Sequence, residues 1–483
     1  MSRHTRSLRR PLLSRWLRPL GAAVLAAALA LPACATTAYE RGVWQRLEAV
    51  EKRTGPASRP AAPVAPGSHH HGAETAGHQA LLADGTLDSY LSYAAAHSPV
   101  LEAHFEDWRA AVHAIARSRR WPEPQLTYGL FLRQVETRVG PQRQRFGLRQ
   151  MIPWPATLQA AADAAASAAL AAERRFEAEG LALESRVAEA YWGLWQVQRT
   201  RAIRVEQRAL LDQLAAMIRT RIEIGKASLA DAAQLDLAIA RLDDSLLLLD
   251  EDRHHGAAEL RAVIGAPPDQ AIPVVDSEPV IAVPAMTPAE LRVSARSHPL
   301  ITGHEAVAEM GEHDARRARA MGWPGLTLGL DYIDVGPATV GDQPDSGKDA
   351  VIATIGLSLP LWRGSYRSEA RSAEARAAAA RARQRAAVQH ADSGIHHAST
   401  HVAATARRVR LYQRTLLPQS DTVYEAVIGA YQTGAAPLAD ALAAQRSILE
   451  LRIQHVTAQA DHARAWARLE AIVGREIART EAP

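Results

Sequence analysis

The side chains of this 483-residue chain most able to do chemistry are its histidines and carboxylates, and their spacing limits what that chemistry is. His397 and His401 are four apart in a helical stretch, with His396 beside them. That spacing puts two imidazoles on one helix face, able to share a metal ion; solvated side chains are the plain alternative. Glu309, Glu312 and His313 resemble half of a carboxylate–histidine metal site, but no matching pair occurs elsewhere. His69, His70, His71 and His78 could bind a transition metal, although they lie in a Pro-, Ala- and Gly-rich stretch where a solvated linker is the simpler outcome. Asp231 and Asp440 each follow a glycine-containing turn and open a helix, where an acidic residue offsets the macrodipole. There is no Gly-rich phosphate loop and no pair of acids in a plausible pocket. The expectation is therefore no enzyme, no cofactor and no assigned metal site.

The net charge is +4, and the basic residues are spread along helices and the leader rather than gathered into a stripe with aromatics, so no nucleic acid is expected as a partner. Arg3, Arg6, Arg9, Arg10, Arg15 and Arg18 precede an apolar run from Leu20 to Leu31, too short for a permanent membrane anchor and suited to a cleaved export signal. Cys34, the only cysteine, follows in Leu31-Pro32-Ala33-Cys34, which resembles the lipobox of bacterial lipoproteins, with Pro32 atypical. A lone cysteine in an exported chain makes no internal disulfide, and lipid on Cys34 would anchor the mature N-terminus to a leaflet. From Thr54 to Asp84 the composition suits a tether.

The elements that must position these residues come in two copies. His97-Ser98-Pro99 recurs as Ser297-His298-Pro299, and Leu126-Thr127-Tyr128-Gly129-Leu130 as Leu326-Thr327-Leu328-Gly329-Leu330. After a slip in register, Gly225-Lys226-Ala227-Ser228-Leu229-Ala230-Asp231 matches Gly434-Ala435-Ala436-Pro437-Leu438-Ala439-Asp440, and the Leu260–Gly265 segment matches Leu469–Gly474. A period this long implies duplication of a large supersecondary unit.

Between Pro155 and Gly225 the chain has no further proline and few glycines, which predicts one helix of roughly 100 Å. Its counterpart runs from about Ser365 to Gln432, with Gly394 and Pro418 inside it. Leu87 to Arg120, Leu229 to Ile264, Pro288 to Ala320 and Leu438 to Val473 predict helices of about half that length, so that two stacked short helices lie beside one long one. Val351 to Leu359 alternates, with Val351, Ala353, Ile355, Leu357 and Leu359 on one face and Thr354, Gly356 and Ser358 on the other. Gln125–Gln134, Gln144–Ile152 and Leu326–Val335 are the other predicted strands. All have the length of a tilted transmembrane strand, and the polar connections Val135–Arg143 and Gly336–Asp349 suit water-facing loops.

Trp121 and Trp323 precede the first strand of each hairpin, and Trp154 and Trp362 follow the second, so all four fall at one end. They fit an aromatic girdle at a membrane–water interface; core positions at helix–strand junctions are the alternative. Four strands cannot close a barrel in a bilayer, so the barrel must be shared between subunits, and three chains would supply twelve strands.

The duplicated order of helix, hairpin, long helix, tip and helix resembles the TolC family of outer-membrane efflux proteins. So do Gly356-Leu357-Ser358-Leu359-Pro360-Leu361-Trp362-Arg363-Gly364, the paired Gly-x-x-x-x-x-Asp tips and the terminal Leu-x-x-x-x-Gly segments. The segment Arg149-Gln150-Met151-Ile152-Pro153-Trp154-Pro155 is similar to one in the heavy-metal (cobalt–zinc–cadmium) branch, except that Ala156 and Thr157 replace its Gly-Lys. The resemblance implies a mainly α fold: a duplicated long-helix bundle with four transmembrane strands per chain, completed as a twelve-stranded barrel in a homotrimer.

It also implies an outer-membrane conduit for metal cations or small toxic compounds, docked on a periplasmic adaptor and an inner-membrane pump of the RND type. Gly225, Ser228, Leu229, Gly434, Pro437 and Leu438 would form the adaptor-docking tips. Asp440 and Tyr431, with Asp231 and Arg221, would form the periplasmic gate, although Ala436 and Ala443 depart from the best-known gate pattern. The alternative is a lipid-anchored periplasmic coiled-coil adaptor or scaffold. The expected division is a signal peptide (1–33), a lipidated N-terminus and disordered linker (34–84), repeats at 85–270 and 287–476 joined by a linker (271–286), and a tail (477–483).

Overall fold

The computed structural model describes residues 38–54, 84–225, 227–273, 278–341 and 344–481. The predicted signal peptide, Cys34 and the histidines at 69–71 and 78 lie outside the described residues.

The first repeat runs α2 (Leu87–His97), α3 (Pro99–Ser118), β1 (Gln125–Leu130), β2 (Glu136–Thr137), β3 (Gly140–Ile152), α4 (Pro155–Glu223) and α5 (Leu229–Ile264), preceded by α1 (Ala38–Thr54). The second runs β4 (Ala282–Pro284), α6 (Pro288–Ala295), α7 (Pro299–Ala320), β5 (Gly325–Val335), β6 (Ala350–Ser358), α8 (Arg363–Leu411), a π-turn (Tyr412–Leu416), α9 (Leu417–Thr433), α10 (Leu438–Val473) and β7 (Arg479–Glu481).

The longer helices form a wall one layer thick. Towards the sheet its order is α3, α4, α7, α8; towards the tips it is α5, α4, α10, then α8 and α9. Helix α4, 69 residues long, lies in the middle and touches helices on both flanks. Small side chains permit that: Ala160, Ala162, Ala166, Ala169 and Ala171 are all buried along its sheet-proximal half. Alanine also has the best intrinsic helix propensity, so one residue type serves local and tertiary needs together.

Several boundaries differ from the sequence expectation, each for a local reason. The stretches Leu87–Arg120 and Pro288–Ala320 each break into two helices, because Pro99 and Pro299 start new helices at their first position. Ser98 Oγ accepts from Leu101 N–H at 3.5 Å, and His298 Nδ1 accepts from Leu300 N–H at 3.1 Å. In the second long helix Gly394 is passed without interruption. Pro418, which has no N–H to give to the carbonyl four residues back, is preceded by the π-turn at Tyr412–Leu416.

The segment assigned to a disordered linker contains α1. Its Val43 and Leu47 are buried against Trp108, Val112 and Ile115 of α3 and Ala166 and Ala169 of α4. Buried carboxylates clamp it: Glu40 pairs with Arg119, and Glu173 accepts from Arg46 Nε at 2.7 Å. Finally, part of the inter-repeat linker and part of the tail are held in a sheet. Their strands β4 and β7 pair antiparallel, with Val283 opposite Thr480.

Candidate channel wall and helix tips

The four long strands form one antiparallel sheet in the order β1-β3-β5-β6, with the short β2 on β3. Leu126 is opposite Leu148, Leu148 opposite Leu330, and Leu330 opposite Ala353, so one face carries an unbroken apolar band. Leu126, Leu148, Leu330, Ile355 and Leu357 are all exposed on it. An exposed apolar sheet face of this extent is unstable in water and suits lipid. Among the described residues no helix is long and apolar enough to cross a membrane.

Aromatic rings bound the band at both ends. At the helix end Trp154 Nε1–H donates to the Pro324 carbonyl at 2.6 Å, and the Trp154 and Trp323 rings are 6.4 Å apart. Trp362 is 79% exposed and Trp121 half-buried, so these tryptophans are not core residues. At the loop end Tyr128, Phe146 and Tyr332 form a row, with centroids 5.1 and 6.4 Å apart along it. Sequence reasoning missed this second row because each ring comes from a different strand and only register aligns them. The strand from Gly325 to Tyr332 spans ~23 Å, or ~18 Å at a tilt of ~40°, with the Trp323 ring beyond its start, in the range of the ~25 Å apolar band of outer-membrane barrels.

The opposite face is polar. Arg145 Nε donates to Asp331 Oδ1 at 3.1 Å, and Asp331 is buried although its strand is exposed on the other side. Gly147 makes this possible: a Cβ there would meet Asp331 Oδ1 and Thr127 Oγ1, both at 2.5 Å. Asp331 was not foreseen from the sequence, where one aspartate in an alternating strand has no visible partner. Two loop corrections belong here. β1 stops at Leu130 rather than Gln134, and β3 begins at Gly140 rather than Gln144, so the connection keeps its length but shifts four residues towards the N-terminus. The two loops are fastened together by Gly347 N–H to the Val139 carbonyl at 2.7 Å and Gly336 N–H to the Pro141 carbonyl at 2.8 Å.

At the far end of the wall each repeat reverses through a glycine in the left-handed region, Gly225 (φ 69°) and Gly434 (φ 83°), a conformation that favours glycine over residues with a Cβ. Leu438 is buried between the repeats with Leu211, Ile218, Leu235 and Tyr431, whereas Ser228, Leu229 and Pro437 are exposed.

The four expected gate residues divide into different roles. Arg221 Nη1 donates to the Tyr431 carbonyl at 3.0 Å, and its guanidinium lies 4.9 Å from the centre of the Tyr431 ring, tying the repeats together. Asp231 closes a capping box: its carboxylate accepts from Ser228 N–H at 2.8 Å, and its own N–H donates to Ser228 Oγ at 3.1 Å. Asp440 is exposed in the first turn of α10. Among the described residues neither aspartate pairs with Arg221, so the expected joint site of the two aspartates and the arginine is not assembled within one chain.

Residues 296–475 match the outer membrane efflux protein family. The matched residues span most of the second repeat. The first repeat shares its architecture, and the fold of the whole is that of solved outer-membrane channels. The outer-membrane channel OprN superposes with a TM-score of 0.68 at 19% identity, covering 82% of this chain and 91% of that one. CusC, described in structures of transmembrane channel formation, gives 0.69 at 16% identity and coverage of 86% and 98%. The outer membrane protein VceC from Vibrio cholerae gives 0.67 at 21% identity and coverage of 82% and 98%. No curated protein sequence matches. The fold shared with these structures includes the sheet at one end and the helix tips at the other.

The remaining chemical candidates do not assemble. Glu312 pairs with Arg381, and His313 lies against Arg316 and 3.8 Å from Asp163, so the half-site's side chains are engaged with other partners. Among the described residues no group of three or more metal-ligating side chains comes together.

Proposed function

We propose that the chain is the outer-membrane channel of a tripartite efflux system, a passive conduit rather than an enzyme. The observation that carries this reading is the unfinished sheet. β1 and β6 each leave one edge without a strand among the described residues, beside a continuous apolar face. Open edges are not tolerated in a bilayer, so β6 of one copy must pair with β1 of the next. Three copies give a twelve-stranded barrel, and the one-layer helical wall closes into a tunnel beneath it. A scaffold or adaptor has no use for the double aromatic boundary.

The tryptophan end is the periplasmic interface. Glu40 pairs with Arg119, two residues from Trp121, which supports a lipidated Cys34 reaching the adjacent leaflet. The exposed tip residues Gly225, Ser228, Leu229, Gly434 and Pro437 form the docking surface for a periplasmic adaptor, which connects the channel to an inner-membrane pump of the RND type. The Arg221–Tyr431 contact holds the entrance narrow, and a ring of three Asp440 carboxylates makes it cation-selective. The cargo is small toxic solutes, metal cations among them.

Sedimentation in mild detergent combined with conductance in planar bilayers tests the assignment. A trimer with stable channels is expected; a monomer without conductance would overturn it. Arg221→Ala should raise the conductance, whereas Tyr431→Phe should not, because Arg221 engages the ring face and main-chain carbonyl. Asp440→Asn should lower cation preference without closing the channel.

A further inference from the structure

His397 and His401 stand one turn apart on the exposed side of α8, with ring centroids 6.2 Å apart and planes inclined by 30°. An ion held through one nitrogen of each ring at ~2.0–2.1 Å keeps the centroids at most ~6.4 Å apart, so small side-chain rotations suffice to share one ion. Neither ring makes a hydrogen bond or ion pair among the described residues. His396 lies off this line by one residue, and its ring is not paired with theirs.

The placement of the pair follows from what covers the other side of α8. Ile395, Ala398 and Val402 are buried against α6, β4 and the end of α10. α6 and the β4–β7 pair form an extra layer on that face of the wall, and in a tube such a layer sits outside, because inside it would fill the passage. By helical periodicity His397 lies ~130° and His401 ~90° around the helix from that buried face, so the pair flanks it, towards the passage or the seam with the next copy.

We propose that His397 and His401 form a two-histidine binding site for a divalent transition-metal ion, with water completing the coordination shell. Imidazole donors suit Cu2+, Ni2+ and Zn2+, and Cu2+ binds most tightly of the three. The site's chemistry stands on the pair alone; only its access to cargo rests on the channel reading.

The test is a Cu2+ titration of the full chain in detergent, with electron paramagnetic resonance to count nitrogen ligands. Every protein compared carries Gln at 69, 70, 71 and 78, so that these histidines contribute nothing. One tight Cu2+ per chain with two nitrogen ligands is expected. His397→Gln and His401→Gln should each weaken it ~100-fold, because each leaves a single donor where two were tethered together. His396→Gln should leave it unchanged. Both residues are exposed, so sedimentation and melting should match the parent and confirm folding. Unchanged copper affinity in either variant, or equal loss in His396→Gln, would overturn the site. Copper binding by a non-conducting monomer would instead remove the channel reading and leave the site standing.

Discussion

In the first repeat the glycine that ends α5, Gly265, packs on the junction between α2 and α3; in the second, Gly474 at the end of α10 packs on the junction between α6 and α7. The duplicated His97-Ser98-Pro99 and Leu260–Gly265 motifs, far apart in sequence, are thus two halves of one joint, and so are their second-repeat counterparts. The neighbours differ. A Cβ at Gly265 would meet the His97 carbonyl oxygen at 2.5 Å, whereas at Gly474 it would meet the His298 ring at 2.9 Å. His298 is itself fixed: its Nε2–H donates to the Ala471 carbonyl at 3.0 Å while Nδ1 accepts from Leu300 N–H, and burial lowers its pKa.

The packing around the two joints also differs. The first repeat buries Tyr90, Tyr93 and Tyr191 among aliphatic residues. The second buries His462, whose Nε2 accepts from Ala282 N–H at 3.2 Å while Nδ1 faces Thr405 Oγ1 at 3.1 Å. The position matching His462 in the first repeat is Arg253, which is partly exposed. The imidazole is what fastens β4, and through it β7, to the wall. Duplication preserved the joint and left the seal around it free to diverge.

Substitutions at the two glycines should break this symmetry most strongly. Gly265→Val should cost ~4 kcal/mol or more, since it adds a left-handed-region penalty to a clash with fixed backbone. Gly474→Val should cost less, because relieving its clash displaces the His298 ring and its two hydrogen bonds rather than main chain; thermal melting of both variants checks the order. If Gly474→Val proved worse, the His298 ring would be the more rigid partner.

The pH response should come next in size and arise from the second repeat. Burial depresses the His462 pKa to about 4, from an ordinary value near 6.5. The unfolded chain therefore binds the extra proton first, and stability falls as pH drops from ~6.5 to ~4, by up to ~3 kcal/mol. Melting temperature measured against pH should lose much of this slope in His462→Gln, while Arg253→Gln leaves it in place.

At the tips the expected effects are smaller. The first repeat has the Ser228–Asp231 capping box, whereas Pro437 offers no side-chain cap to α10. Ser228→Ala should cost ~1 kcal/mol and speed amide exchange in the first turn of α5, with little change at the second tip. The smallest effect belongs to the long helices. Pro418→Ala should restore a donor and relax the π-turn, shifting stability by less than ~1 kcal/mol, visible as slower exchange near Tyr412–Leu416.

The fold was legible where one residue pattern serves a single local purpose. The dyad of Val351–Ser358, the proline-free run of α4 and the glycines of the tips each specify their own element. The site was legible only in part. Trp121, Trp154, Trp323 and Trp362 stand out by position, but Tyr128, Phe146 and Tyr332 become a row only through register. Asp231 carries the same local signal whether it caps a helix or lines an entrance, and the Ser228 hydrogen bonds are what distinguish the two within the chain.

The sequence by itself determined the duplication, the element types and the two-faced strands, because periodicity, proline and glycine act over a few residues at a time. Tertiary structure alone decided that α1 packs on the wall, that β4 finds β7, that Asp331 is buried against Arg145 and that Arg221 reaches Tyr431. Each of those contacts joins residues far apart along the chain, and its free energy depends on burial and geometry that exist only after the helices and strands have been brought together.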